Sequence, residues 1–223
     1  MKFAILVFPG SNCDHDAYKV IEGIDGASAE FVWHKENDLS DYDSIIVPGG
    51  FSYGDYLRAG AIAKFSPIMN ALVTEANKGK NIIGICNGFQ ILIEANLLEG
   101  SLINNSGVKF NSKEVSLSTK NFNTTFTNLI PKDKEIFMPI AHRQGNYIAS
   151  DELQKELLDN EQIAFTYSDS GGGNPNGSSM DIAGIFNKDK NILGMMPHPE
   201  RASDSILGSN DGALIFESII NRG

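Results

Sequence analysis

The chain has 223 residues, 41% of them hydrophobic and 21% charged, with a net charge of −10 and a pI near 4.8. That length and balance suit one soluble globular domain with a sizeable core, expected over 1–223. The acidity argues against nucleic acid or an anionic membrane as a partner, because both need clustered Lys and Arg.

In chain order, Phe3-Ala4-Ile5-Leu6-Val7-Phe8 is a continuous apolar run, as expected of a strand within Lys2 to Phe8 covered on both faces. No secretory leader is expected before it. Pro9-Gly10-Ser11-Asn12 is a turn, and a helix from Cys13 or Asp14 carries Ala17, Val20, Ile21 and Ile24 on one face. Strands are predicted at Ala29 to Trp33 and at Ser44 to Val47, the second ending abruptly at Pro48-Gly49-Gly50. Phe51 to Asp55 is loop, and Ala59 to Asn77 is helical, interrupted or restarted at Pro67. Ile82 to Ile85 is a buried strand, followed by a helix that stops near Gly100.

The second half is less regular. Lys113 to Ser118 and Glu135 to Ile140 suggest antiparallel strands, Glu152 to Leu158 a short helix and Gln162 to Tyr167 a strand. Ser170 to Ser178 is a flexible or turn-rich loop. Met180 to Phe186 and Asn191 to Met196 form a strand pair, and the last helix spans Gly212 to Asn221. Strand and helix alternate through the first hundred residues. The fold class is therefore α/β, a mostly parallel sheet flanked by helices, with a smaller antiparallel element. No apolar run approaches the ~20 residues of a membrane span.

Gly84-Ile85-Cys86-Asn87-Gly88 lies where strand becomes helix. A Cys with glycines two places before and after it has the form of a nucleophile elbow. The turn lifts the sulfur from the sheet and sets it at a helix N-terminus, where a thiolate is favoured. It also aims the Asn87 N–H at an oxyanion formed on attack at a carbonyl. Gly49-Gly50, also after a strand end, can supply the second oxyanion donor. Far along the chain, Pro197-His198-Pro199-Glu200 follows another apolar strand. In extended chain His198 and Glu200 project together, so the carboxylate can hold one imidazole nitrogen and leave the other for a thiol. The expected triad is Cys86, His198 and Glu200.

The remaining candidates read as structural. Cys13 is followed at once by Asp14 and Asp16, which disfavour a thiolate, so it is taken as a packing or loop residue. His15 and His34 are taken as surface or structural, while His142 could border the site. The loop from Gly171 lacks the Gly-Lys-Ser/Thr ending of a phosphate-binding loop. Two cysteines and four scattered histidines show neither a disulfide framework nor zinc-type spacing. No metal is expected, and a reducing cytoplasm is.

Together Pro48-Gly49-Gly50, Gly84 to Gln90 and Pro197 to Glu200 resemble the class I, or triad, glutamine amidotransferases, whose fold is flavodoxin-like. Within them the chain resembles the glutaminase subunits of phosphoribosylformylglycinamidine synthase. The carriers are Phe8 to Asp14, Gly49 to Asp55, Asn174 to Ser178 and His198 to Arg201. The resemblance runs from the first strand to the last helix. It departs at His142-Arg143-Gln144-Gly145, where the family commonly reads His-Gly-Glu-Gly.

The resemblance implies that Cys86 attacks the side-chain amide of glutamine, His198 shuttles the proton and Glu200 orients His198. Gly50 and Asn87 would line the oxyanion hole, and Gly49 and Gln90 would contact substrate. A glutamyl thioester would form, ammonia would leave, and water would release glutamate. The chain has no ATP-binding motif of its own. The resemblance accordingly implies a large synthetase subunit carrying ATP, magnesium and formylglycinamide ribonucleotide, and a very small third subunit. The competing readings are the glutaminase of another amidotransferase, a Cys peptidase of a related elbow-bearing fold, and a non-enzymatic interaction module.

Overall fold

The structure is a computed structural model describing residues 1–221, so the last two residues of the expected 1–223 domain lie outside it. Eleven strands form along it: β1 (Lys2–Val7), β2 (Ser28–Trp33), β3 (Ser44–Val47), β4 (Asn81–Ile85), β5 (Ser101–Ile103), β6 (Asn111–Thr119), β7 (Ile136–His142), β8 (Asn146–Ile148), β9 (Ile163–Tyr167), β10 (Ile182–Phe186) and β11 (Ile192–Met195). The α-helices are α1 (Asp14–Glu22), α2 (Ile68–Asn77), α3 (Asn87–Glu94), α4 (Asp151–Asp159) and α5 (Ala213–Ile220). No helix among the described residues is long and apolar enough to cross a membrane.

Nine strands make one sheet in the order β2-β1-β3-β4-β11-β10-β9-β6-β7. The run from β2 to β11 is parallel. From β11 to β7 every pairing is antiparallel. The antiparallel strands β10, β9, β6 and β7 are the smaller antiparallel element expected, and they extend the main sheet. Among the described strands, β5 and β8 pair apart from it. Every residue of β3, β9, β10 and β11 is buried, the pattern of strands covered on both faces.

The sheet curls. Strand β7 lies four places from β11, about 19 Å away were the sheet flat. Yet the His198 N–H, three residues beyond β11, donates to the Pro139 carbonyl of β7 at 2.9 Å. As an edge strand, β7 has alternate carbonyls without a strand partner, and Pro139 is tolerated there because no ladder N–H is needed from it. The curl sets those free carbonyls over the C-terminal ends of the parallel strands.

Most predicted elements form with ends shifted by a residue or two. The helix after β4 ends earlier than predicted, at Glu94. Asn96 turns left-handed at φ 56, with Asn96 N–H to Ile93 carbonyl and Leu97 N–H to Leu92 carbonyl, both at 2.9 Å. That is a Schellman stop with Asn in place of Gly. The helix predicted from Ala59 begins only after Pro67, at Ile68, preceded by a 3-10 turn at Ala63–Phe65. Proline lacks the N–H an interior helical position needs and so marks a start. The loop from Ser170 to Ser178 is tied down. The buried Asn176 donates to the Gly145 carbonyl and the Tyr167 hydroxyl, and Asn174 Oδ1 accepts three successive N–H groups.

Gly88 is required by close approach. A β-carbon there would lie 1.8 Å from the Val47 carbonyl oxygen, so α3 could not rest against β3. Gly88→Ala should destabilise the fold by about 3 kcal/mol or leave it unfolded. Gly107→Ala, whose added carbon meets nothing within 4 Å, should stay within about 0.5 kcal/mol. Denaturant unfolding of both variants checks the pair.

Candidate active site

The site forms where four chain segments leave the sheet at one edge. Strand β4 ends in Cys86, whose backbone sits at φ 52, ψ −104, a region costly for any residue with a β-carbon. Its N–H donates to the Met195 carbonyl of β11 at 2.7 Å, which seats the bend against the neighbouring strand. Asn87 is the first residue of α3, so its N–H has no acceptor within the helix. Gly50, at φ 142, follows β3. The loop after β1 bridges to it, with Phe51 N–H on the Gly10 carbonyl at 2.9 Å and Cys13 N–H on the Gly49 carbonyl at 3.3 Å. The register of β4 with β11, Gly84 opposite Gly194 and Ile85 opposite Met195, delivers His198 to the same edge.

His198 and Glu200 are both 2% exposed, and His198 Nδ1 lies 2.6 Å from Glu200 Oε1. The contact arises differently from the extended-chain expectation. His198 is extended at φ −103, ψ 90, but Glu200 sits in a 3-10 turn, Pro199–Arg201, that folds the carboxylate back toward the ring. His198 Nε2 has no hydrogen-bond partner among the described residues. His198 lines a cavity of about 190 Å³ whose wall includes Cys86, Cys13, Gly50 and Ala141. Burial disfavours the charged imidazole, but the Glu200 carboxylate and the Cys86 sulfur outweigh it and hold the pKa well above the usual histidine value. The Ala141 carbonyl, free on the β7 edge, is 3.8 Å from Cys86 Sγ.

Cys13, expected to be a packing or loop residue, packs beside the site. It is buried, beside the ring of His198, and its sulfur lies 3.1 Å from Nη2 of Arg201, which also pairs with Asp16 at 3.0 Å. Burial pushes its thiol pKa up despite the His198 contact and the Arg201 charge. Cys13, His198 and Glu200 place three potential metal ligands within 4.8 Å of one another. The carboxylate already holds the imidazole, and a guanidinium sits on the sulfur. That wiring suits proton handling better than cation binding.

A second cavity of about 300 Å³ continues from Cys86 and Gly50 to Asp55, Gln90, His142, Arg143 and Gln144. Gln90 is fixed at both ends of its amide. Its Nε2 donates to the Gln144 carbonyl at 2.6 Å, and its Oε1 accepts from Asn87 Nδ2 at 2.9 Å. A β-carbon on Gly49 would lie 2.8 Å from His198 Cε1 and 3.1 Å from Cys13 Sγ, so Gly49 borders the imidazole. His34 is buried and structural, with Nδ1 2.9 Å from the Tyr53 hydroxyl, and His15 is exposed.

The amino-acid sequence matches the CobB/CobQ-like glutamine amidotransferase domain over residues 1–212. The chain belongs to this family. Among solved structures, PurLQS from Thermotoga maritima contains a chain 44% identical, with a TM-score of 0.90, covering 99% of this chain and 98% of that one. A putative GMP synthase component from Thermoplasma acidophilum (17% identity, TM-score 0.66, coverage 99% and 93%) shares the fold. So does a glutamine amidotransferase from Thermotoga maritima (14%, 0.58, coverage 100% and 91%).

Sequence reasoning about this amidotransferase misses two contacts within motifs it marks. Arg201, next to Glu200, reaches back to Cys13, and Asp55, at the end of Phe-Ser-Tyr-Gly-Asp, enters the second cavity. His142 lies on that cavity's wall with its protonation set by a neighbour. Asn105 Nδ2 donates to the carbonyls of Lys109 and His142, so its Oδ1 faces the Gly145 N–H and His142 Nδ1. His142 Nδ1 must then carry the proton, and Nε2 is a bare acceptor without a partner among the described residues. Burial, with His198 nearby, lowers its pKa from 6.5 to about 4. A histidine kept neutral when folded but free to protonate when unfolded loses stability as pH falls from about 6.5 to about 4. Across that window the wild type should lose up to about 3 kcal/mol more than His142→Gln, measured by denaturant unfolding at pH 7 and pH 4.5.

Proposed function

We propose that this chain is the glutaminase subunit of a phosphoribosylformylglycinamidine synthase. It hydrolyses glutamine to glutamate and ammonia through a Cys86 thioester and delivers the ammonia to a synthetase subunit. The observation that carries the catalytic reading is the buried His198, held by Glu200 at 2.6 Å, with Nε2 unpaired among the described residues and the residue lining a cavity shared with the strained Cys86. Residues 1–223 act as one amidotransferase domain, a reading supported by the sheet that joins both halves of the chain.

Glutamine enters the cavity of about 300 Å³, small for a nucleotide and sufficient for an amino acid. The Cys86 sulfur attacks the side-chain carbonyl carbon while its oxygen takes charge beside the N–H groups of Gly50 and Asn87. The proton on His198 Nε2 passes to the departing nitrogen, the C–N bond breaks, and ammonia leaves a glutamyl thioester. Water then attacks. His198 takes its proton, glutamate departs, and the sulfur is restored. Glu200 holds the ring in position and stabilises its charged form. Gln90, clamped at both ends, shapes the wall, and Gly49 keeps the imidazole's flank free of a side chain.

Free ammonia is protonated in neutral water and loses its nucleophilicity, so the product must pass to its acceptor under cover. Five apolar residues on the segments bordering the mouth, Phe51, Tyr56, Leu57, Val108 and Phe110, are 46–76% exposed. Such a patch supports a protein partner at the opening. The 44% identity to a chain of PurLQS supports a synthetase as that partner, with a very small third subunit completing the complex. ATP and magnesium belong to the synthetase. Two free cysteines and the nucleotide-pathway role fit a cytoplasmic setting.

The isolated chain should show weak glutaminase activity that rises when the synthetase is added; full activity in the chain alone would count against the coupling. Glu200→Gln in the complex should lower kcat by about 10²- to 10⁴-fold, read by glutamate release. A glutamine-analogue electrophile should alkylate Cys86, and a label mapped to Cys13 would overturn the assignment.

A further inference from the structure

Beyond Cys86, the second cavity holds a carboxylate and a guanidinium that meet no counter-charge. Asp55 is half-buried and contributes to the wall. Among the described residues its side chain accepts a hydrogen bond from an amide, Asn87 Nδ2, 3.4 Å from Oδ1. The cations nearest in sequence are already used, since Arg58 and Lys64 both pair with Glu94. Arg143 lines the same cavity and is exposed. Among the described residues neither Asp55 nor Arg143 takes part in an ion pair.

The backbone around Asp55 is strained in a way that serves its placement. Tyr53, Asp55 and Leu57 all have positive φ, at 54°, 52° and 69°, although none is glycine. Three such residues within five persist only where their surroundings impose them. Those surroundings are visible. The Tyr53 hydroxyl is anchored by His34 and Ser66, and the Ser52 N–H by Asn87 Oδ1 at 3.0 Å. The loop is thus tied to Asn87, the residue that follows the nucleophile.

We propose that Asp55 and Arg143 recognise the two charged ends of a free α-amino acid. Asp55 takes the α-ammonium and Arg143 the α-carboxylate of the glutamine whose side chain reaches Cys86. The inference rests on the glutaminase reading and adds what that reading leaves open, namely how a free amino acid is chosen over a glutamine within a peptide. A peptide-bonded glutamine has neither charge, so both wall groups would stay unpaired against it, and selectivity follows from that mismatch. Burial pushes the Asp55 carboxyl up to about 6, the signature of a carboxylate lacking a cation that a bound ammonium would supply. Both are specificity residues, remote from the bond that breaks, and so act on KM more than on kcat.

The test is steady-state glutaminase activity of the intact chain in its complex with the synthetase. The substrates are glutamine, glutaramate, which lacks the α-ammonium, and 4-aminobutanamide, which lacks the α-carboxylate. Asp55→Asn should raise KM for glutamine by about 10- to 100-fold with kcat within about three-fold, and should leave kcat/KM for glutaramate unchanged. Arg143→Gln should raise KM for glutamine and spare 4-aminobutanamide. Equal losses on glutamine and on the truncated substrate would mean a structural role and overturn the proposal, as would an unchanged KM for glutamine. If the wild-type complex hydrolyses no glutamine while Cys86 still reacts with iodoacetamide, the glutaminase reading falls, and this inference with it.

Discussion

Cys86 holds a backbone conformation that a side chain disfavours, and much of the site depends on keeping it there. The strain is on the order of 1–3 kcal/mol. Against it stand Ile82, Ile83 and Ile85 before the bend and Phe89, Ile91 and Leu92 after it, each at most 1% exposed. Their burial contributes on the order of 10 kcal/mol, so packing on both sides wins easily and the bend is forced. The bend can close only because residue 88 has no β-carbon, which lets α3 touch the Val47 carbonyl. The same close contact brings the start of α3, with the unpaired Asn87 N–H, next to the strand end that carries Gly50.

A second constraint is the curl of the sheet. It brings a free edge of β7 over the parallel strand ends, where the Pro139 carbonyl holds the His198 main chain and the Ala141 carbonyl stands beside the nucleophile. Edge strands usually need protection from pairing with another chain. Here the exposed hydrogen-bonding groups become part of the site wall. His142 closes the same strand. Its ring, kept neutral by burial and fixed in tautomer by Asn105, places an uncharged acceptor in a site whose other imidazole has a raised pKa. Two histidines in one site are thus driven apart in charge state, one by a carboxylate and one by burial.

Much of this is legible in the residues. The elbow, the Pro-His-Pro-Glu peptide and the double glycine each carry a local signal: a change of period, a fixed backbone, a missing side chain. What cannot be read is what the curl and the long reaches create. Nothing local to β7 announces that its edge returns to His198, because that contact follows from the twist accumulated across three intervening strands. The sequence neighbours of Cys13, Asp14 and Asp16, suggest an unreactive thiol; burial is what raises its pKa, and the Arg201 that touches it lies 188 positions away. Glu200 illustrates a correct pairing reached through the wrong geometry. The pairing is expected from extended chain, and a 3-10 turn produces the contact instead.

Most carboxylates in and around the site are matched to a cationic partner. Glu200 is spent on His198, Glu94 on Arg58 and Lys64, and Asp16 on Arg201. A carboxylate left over in a cavity is costly to keep ionised, and a loop bent through three unfavourable φ values to hold it there adds to that cost. In a scaffold that pairs its other buried charges, Asp55 is therefore hard to explain by folding alone. A cationic ligand group arriving beside it would lower the penalty in the bound state and leave it in the free one. That difference is what binding selectivity consists of.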